Sequence, residues 1–327
     1  MKAVVITEFG GPEVLKVQDV PEPQAVRGEV RVRVMATALN RADVIQRKGN
    51  YAAPPGVPQN IPGLEFAGVI TDVHEDVAGF VPGDRVFGLV AGGSYAQFLV
   101  THHRTLAKIP ENLSFEQAAA CPEAFVTAYD AMVSQANLKS GEWVLIHAAG
   151  SGVGTAAVQI CKAIGARSVG TTRSKAKIDK AMELGLHRGI IIEKGDFSQE
   201  VKTIVGDRGV DVVLELVGGN YLVEDLECVA SQGRIVLVGL LAGAKAELNL
   251  QRILSKRILI KGTTLRARPL EEKIVAGQLL ADNISPLLAS GALKPIIDKV
   301  FDIEEVAIAH EYMEKNDSFG KVVMTLE

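Results

Sequence analysis

Only three cysteines occur in 327 residues (Cys121, Cys161 and Cys228), and no two of them form a C-x-x-C pair. Neither a disulfide framework nor a zinc ribbon is indicated, and buried, reduced thiols are expected. Aromatic residues are scarce at 5%, and basic residues are not interleaved with them, so nucleic acid is not an expected partner. No apolar run approaches the roughly 20 residues that a membrane helix needs, so no membrane association is expected. Charge of neither sign dominates: 35 Lys and Arg face 39 Asp and Glu, a net charge of −4 that gives no support to an anionic-membrane surface. The opening MKAVVITEFGGPEVL has no charged segment followed by a long apolar one, so no secretory signal is expected and a cytoplasmic location is. Glycine, by contrast, is plentiful at 32 residues, which suits tight turns and close backbone approaches. A composition that is 47% hydrophobic is globular, and the length suggests two domains.

The first third reads as β structure. Residues 29–35, EVRVRVM, alternate apolar and polar side chains with the period of a half-buried strand. Short apolar runs follow (FAGVI, DRVFGLV, AQFLV), punctuated by turns such as Pro82-Gly83-Asp84, and imply a barrel-like antiparallel unit. The character changes near Ser114, where Ser114 and Gln117 form a capping-box pattern. From there strands and helices alternate. WVLIHAA is a continuous apolar run typical of a parallel strand buried on both faces, and a helix follows to Ile164 with Gly165 as its C-cap. SVGTT, GIII, DVVLELV and GRIVLVG are further strands, separated by helical stretches, in the pattern of a doubly wound parallel sheet. After Arg268 come a helix, a turn and a closing strand KVVMTL, which is expected to rejoin one of the two sheets.

The strongest local signal lies at residues 145–159, LIHAAGSGVGTAAVQ. A buried strand runs into a glycine-rich turn and a helix starts at once. In that context Ala149, Gly150, Ser151, Gly152, Val153 and Gly154 would cradle a pyrophosphate on the free N–H groups of the helix start. An NAD-preferring site places an acid at the end of the next strand. Here that segment is Gly170-Thr-Thr-Arg173-Ser174-Lys175-Ala-Lys177, with no acid. Arg173, Ser174 and Lys177 suit a 2′-phosphate, whereas Lys175 fits a solvated helix face, so the expected cofactor is NADPH.

At this point the sequence resembles a known family. GGPEVL, ALNRADVIQRKGNY, GLEFAGVI, VPGDRVFGL, AAACPEAFVTAYDAM, the loop above and a closing HEYMEKNDSFGKVV are similar to the zinc-free quinone oxidoreductase branch of the medium-chain dehydrogenases/reductases, over essentially the whole chain. The resemblance implies an α/β chain: a GroES-like catalytic domain built from residues 1–122 and 268–327, a Rossmann NADPH-binding domain over 123–267, and a homodimer. Zinc-dependent members use an early Cys, a Gly-His-Glu and a later Cys or Asp; here Asn40 and Gly63-Leu64-Glu65 stand at the first two places, and a four-cysteine lobe is missing. No metal is expected, because zinc needs three protein ligands in a catalytic site and four in a structural one.

By the same resemblance, Tyr51 and Ser151 line the substrate side of the nicotinamide, and Asn40 and Asp43 occupy the vacated metal region, in a structural or a catalytic role. Thr127, Gly218, Val238, Gly239, Leu240, Leu241, Leu265 and Arg266 are placed around the nicotinamide and its ribose, with Asn316 and Lys321 closing over the cofactor. Ile192 replaces an adenosine-contacting tyrosine of relatives, a loss for which Arg173 would compensate. The six histidines fall in no metal-ligand spacing and read as surface or strand residues. Glu65 and Glu123 sit in apolar company, where burial demands partners, and a structural role is expected for Glu65. The implied activity is NADPH-dependent reduction of a small quinone. Two alternatives stay open: reduction of an enone or enoyl thioester with Tyr51 as proton donor, and an NADPH-binding or RNA-binding protein of low turnover.

Overall fold

A computed structural model describes residues 1–192 and 196–326. The chain opens with strands β1 (Lys2–Ile6), β2 (Leu15–Asp19) and β3 (Glu29–Ala38), then helix α1 (Arg41–Arg47). β4 (Glu65–Val73), β5 (Arg85–Leu89), β6 (Phe98–His102) and β7 (Leu106–Lys108) follow, with helices α2 (Phe115–Ala119) and α3 (Pro122–Tyr129). The alternating stretch is β8 (Trp143–Ile146), α4 (Gly152–Ile164), β9 (Arg167–Thr172), α5 (Lys175–Leu184), β10 (Arg188–Ile191) and α6 (Ser198–Val205). It continues with β11 (Val210–Glu215), α7 (Tyr221–Cys228), β12 (Val229–Leu237), α8 (Leu250–Lys256) and β13 (Leu259–Gly262). The last elements are α9 (Leu270–Leu279), α10 (Ser285–Ala289), β14 (Ile297–Asp302), α11 (Val306–Glu314) and β15 (Lys321–Thr325).

These elements form two compact units. One comprises residues 1–126 and 265–327, the other residues 127–264. The divisions fall after Val126 and Thr264, a few residues from the 122/123 and 267/268 boundaries read from sequence.

In the two-segment unit, a seven-stranded sheet runs β14-β15-β3-β4-β5-β7, with β6 also paired to β3. Its pairs are antiparallel except β14 with β15. Val30, Val32 and Val34 of β3 alternate inward against Phe66, Ile70, Val86 and Leu99, which is the core that the two-residue period encodes. The closing strand β15 lies between β14 and β3, in the interior of the sheet. α2 carries the capping box expected at Ser114 and Gln117. The apolar stretch after Leu270 forms α9 and then a π turn over Leu280–Ile284, which the sequence pattern did not separate from one continuous helix.

In the contiguous unit, six parallel strands take the order β10-β9-β8-β11-β12-β13. Numbered within the unit this is 3-2-1-4-5-6, the doubly wound order of dinucleotide-binding sheets, whose ligand crevice lies where the order reverses. That reversal falls between β8 and β11. Val144, Leu145 and Ile146 of β8 have no exposed surface, as a strand covered on both faces requires.

Candidate functional site

The glycine-rich loop follows β8 at the reversal point. α4 begins at Gly152, two residues before the start at about Gly154 that the sequence suggests, with Ser151 as its N-cap. The Ser151 hydroxyl oxygen accepts the Gly154 N–H at 3.0 Å, so its first duty is capping. The N–H groups of Gly152 and Val153 have no acceptor among the described residues, and they sit at the positive end of a 13-residue helix. A side chain at Gly154 would put its Cβ 2.4 Å from the Ala148 carbonyl oxygen, so only glycine lets the helix start this close to the strand end. Two unsatisfied donors facing out of a closely wound loop fit a bound phosphate.

The basic cluster lies beside that loop. The Lys177 stem covers Gly150, since a Cβ on Gly150 would meet it at 2.9 Å. Arg173 is exposed and makes no ion pair or hydrogen bond with any described residue. Ser174 caps α5 without a side-chain hydrogen bond, which leaves its hydroxyl uncommitted, and its N–H donates to Thr172. Lys175 is tied to Asp179 at 3.0 Å on the solvated face, as expected for it. Ile192 has another place than the one read from sequence: it is 4% exposed and packs in the core of this unit with Leu145, Val169 and Ile190.

On the β11 side, Gly218 has φ +72° and its N–H donates to Glu215 Oε1 at 2.9 Å. Gly239 follows β12, its N–H on the Glu215 carbonyl; Val238 is half-buried, and Leu240 and Leu241 are exposed. Thr127 is buried at 7%. Beneath the Gly218 turn lies a cluster that the sequence did not reveal. His147 is fully buried, a correction to its reading as a surface or strand residue, with Nε2 2.8 Å from Asp225 and Nδ1 2.8 Å from Thr171. Burial holds the imidazole at about 4 and pushes the Glu215 and Asp225 carboxyls up to about 7 and about 8. The cluster braces the turn that carries Gly218.

In the two-segment unit, Asn40 is the N-cap of α1, and Asp43 completes its capping box. Asp43 also accepts from the Gly63 N–H at 3.1 Å and the Tyr95 hydroxyl at 3.1 Å. Burial nevertheless raises its carboxyl to about 6, because three donors do not fully replace water. Asn40 Nδ2 donates to Glu65 Oε1 at 2.8 Å, and Glu65 Oε2 accepts the Glu123 N–H at 2.8 Å. Lys321 closes the network: its Nζ lies 2.7 Å from Glu65, 2.7 Å from Asn40 Oδ1 and 2.8 Å from the Leu39 carbonyl. Lys321, read from sequence as closing over the cofactor, is instead a buried counter-ion to Glu65. Asn40 and Asp43 are committed to structure, as is Glu65.

Arg266 is likewise spent inside this unit. Its guanidinium donates to the Ala91 and Tyr51 carbonyls and to Gln46 Oε1, and it lies 4.8 Å from the Tyr51 ring centroid. With three of its five N–H donors engaged inside this unit, the guanidinium positions Tyr51; Leu265 beside it is half-buried. Asn316 is exposed at φ +61° and accepts from Arg41 at 2.6 Å. His310 is fully buried against Arg47 and Tyr95, a second correction to the histidine reading. The three cysteines are buried and free, as expected.

The structure thus brings together Asn40, Asp43, Glu65 and Lys321 in one unit, and the loop, Lys177 and Arg173 in the other. Glu123 is the residue whose importance the sequence understated. Its carboxyl lines a pocket with Leu64, Ala91 and Arg266. Its apolar neighbours in AAACPEAFV were the available signal.

The alcohol dehydrogenase GroES-like domain model matches residues 26–111, and the zinc-binding dehydrogenase model matches residues 152–281. The zinc of that description finds no ligands at Asn40 and Leu64, a carboxamide engaged with Glu65 and an aliphatic side chain. The quinone oxidoreductase of Lama guanicoe is 36% identical over 100% of this chain and 98% of its own. The Escherichia coli quinone oxidoreductase, solved as a complex with NADPH, is 28% identical, with a TM-score of 0.89 over the whole of both chains. The CurK enoyl reductase is 29% identical, with a TM-score of 0.87 over 100% of this chain and 99% of its own. Among the described residues, no helix is long and apolar enough to cross a membrane.

Proposed function

The chain belongs to the quinone oxidoreductase branch of the medium-chain dehydrogenases/reductases, and from that premise we propose that it is a cytoplasmic, homodimeric enzyme that reduces a small quinone with NADPH and without a metal. The observation that carries the cofactor is the loop at Gly150–Gly154, with two unclaimed N–H donors beside Lys177 and the unpaired Arg173. In this reading Gly152 and Val153 hold the pyrophosphate, and Arg173, Ser174 and Lys177 hold the 2′-phosphate. NADPH supplies the hydride when bound. Tyr51, its ring against Arg266, presents its hydroxyl to the substrate oxygen. A quinone needs little polarisation, so the protein's contribution is chiefly to orient the acceptor and to manage one proton.

The likeness to an enoyl reductase supports the second reading, in which an activated alkene is the acceptor and Tyr51 protonates its α-carbon. The homodimer is supported by an open sheet edge. Among the described residues β13 pairs with β12 alone, and Leu259 at its start and Leu250 and Leu254 of α8 are 49%, 71% and 78% exposed. A second copy meeting that edge would cover all three.

The test is NADPH oxidation with an ortho-naphthoquinone, beside crotonyl-CoA and with NADH as control. Turnover with the quinone and NADPH is the expected result; turnover with crotonyl-CoA alone would replace the first reading by the second. Arg173→Ala should raise the NADPH KM by roughly 10- to 100-fold, the equivalent of a charge-assisted hydrogen bond of about 1.5–3 kcal/mol, and leave the NADH KM unchanged. Equal NADPH affinity in the variant would remove Arg173 from the site.

A further inference from the structure

The pocket that Glu123 lines lies wholly within the two-segment unit and opens to solvent at its mouth. Leu64, Leu89, Val90 and Ala91 form its apolar wall. Two ionisable side chains, Glu123 and Lys273, face it without an internal partner. The half-buried Glu123 carboxyl accepts no hydrogen bond from any described residue, although the same residue's N–H is held by Glu65. Lys273 makes no hydrogen bond or ion pair with any described residue. Polar groups placed against an apolar wall without partners are groups kept for a ligand.

We infer that Glu123 protonates the oxygen of the reduced substrate in this pocket, and that the Lys273 ammonium stabilises the negative charge on that oxygen. This rests on the reductase reading above. As the substrate takes up hydride, the hydride's electron pair forms the new bond to the substrate, and a π pair of the acceptor is displaced onto a carbonyl oxygen. The O–H bond of Glu123 then breaks, a new O–H bond forms on the substrate, and the carboxylate left behind regains its proton from water at the mouth.

The surroundings give Glu123 a proton to donate at neutral pH. Burial, and after it the Glu65 carboxylate, push its carboxyl up to about 8; Asp43 adds to this, while the Lys321 and Arg266 cations pull against it. A donor with that value is matched to chemistry near neutrality. Burial and the neighbouring Arg266 push the Lys273 ammonium down, so it too gains by meeting an anionic oxygen.

The experiment compares the full-length wild type with Glu123→Gln and Glu123→Asp. Glu123→Gln should lose roughly 100-fold or more in kcat, the scale of a general acid, with NADPH affinity by fluorescence titration within twofold. The wild-type kcat should fall as pH rises through about 8, the value that the pocket gives Glu123, and that limb should vanish in Glu123→Gln and return in part in Glu123→Asp. An infrared difference spectrum of wild type minus Glu123→Gln at neutral pH should contain a neutral carboxyl band. A Glu123→Gln kcat within about threefold of wild type, or the absence of that band, overturns the assignment. Should the wild type oxidise NADPH with neither acceptor, the reductase reading falls. Calorimetric binding of hydroquinone then decides for Glu123: weaker binding in Glu123→Gln supports the pocket, and equal binding overturns it.

Discussion

Replacing Lys321 by Met tests the view that a buried ion pair, rather than a cofactor contact, is this residue's role. Met keeps most of the volume and removes three hydrogen bonds, to Glu65, Asn40 and the Leu39 carbonyl, each at 2.7–2.8 Å. The Lys321 side chain is 6% exposed and the Glu65 side chain has no exposed surface, so water cannot take the place of the lost ammonium. Removing one member of such a pair typically costs about 3–5 kcal/mol, because the other charge is left buried. At about 2–4 °C per kcal/mol for a unit of this size, even the lower bound moves the melting transition by about 6–12 °C. The assay is urea and thermal unfolding of wild type, Lys321→Met, Glu65→Gln and the double variant. The double variant should be more stable than Lys321→Met, since neutralising Glu65 removes the orphaned charge. The two substitutions should also move the alkaline limb of kcat in opposite directions. The Lys321 cation holds the Glu123 carboxyl down and the Glu65 carboxylate holds it up. Lys321→Met therefore shifts the limb to higher pH and Glu65→Gln to lower pH. A stability loss below about 1 kcal/mol in Lys321→Met, or strictly additive losses in the double variant, would refute the ion-pair reasoning.

Gly154→Ala should weaken NADPH binding by tenfold or more and cost about 1–3 kcal/mol of stability, since its Cβ meets backbone atoms that cannot rotate away. Isothermal titration beside unfolding curves checks both, and unchanged affinity would argue that the loop does not carry the phosphates. Leu254→Glu, at a side chain that is 78% exposed near the β13 edge, should convert the protein to a monomer in sedimentation velocity. A dimer that persists would move the interface elsewhere.

The doubly wound sheet was legible because β8 is apolar throughout and α4, α5 and α6 end on glycines, a pattern set by local physics. The phosphate loop was legible for the same reason: LIHAAGSGVG places strand, turn and helix start within ten residues. Lys321 was misread because its partners are remote. Glu65 lies 256 positions earlier in the chain, and no periodicity in KVVMTL says that the first residue of a strand points at a carboxylate. Arg266 suffered similarly, because the sequence shows a cation but not the three acceptors that consume it. His147 looked like any residue at a strand end until α7 brought Asp225 against it. What sequence conveys poorly is how a charge is neutralised, since that depends on contacts made across the fold.

The position of β15 bears on how the protein is made. During synthesis, residues 127–264 leave the ribosome as one uninterrupted stretch, and such a unit can begin to fold as soon as it has emerged. The other unit must wait. Its sheet keeps a gap between β3 and β14 until residues 321–325 arrive, and the lysine that neutralises Glu65 arrives with them. A nascent chain halted before that strand would display a finished nucleotide fold beside an uncompensated carboxylate and two unpaired strand edges. Such a chain offers exposed surface to chaperones and proteases while it still binds dinucleotide. Cofactor binding alone is therefore a poor indicator of a completed enzyme.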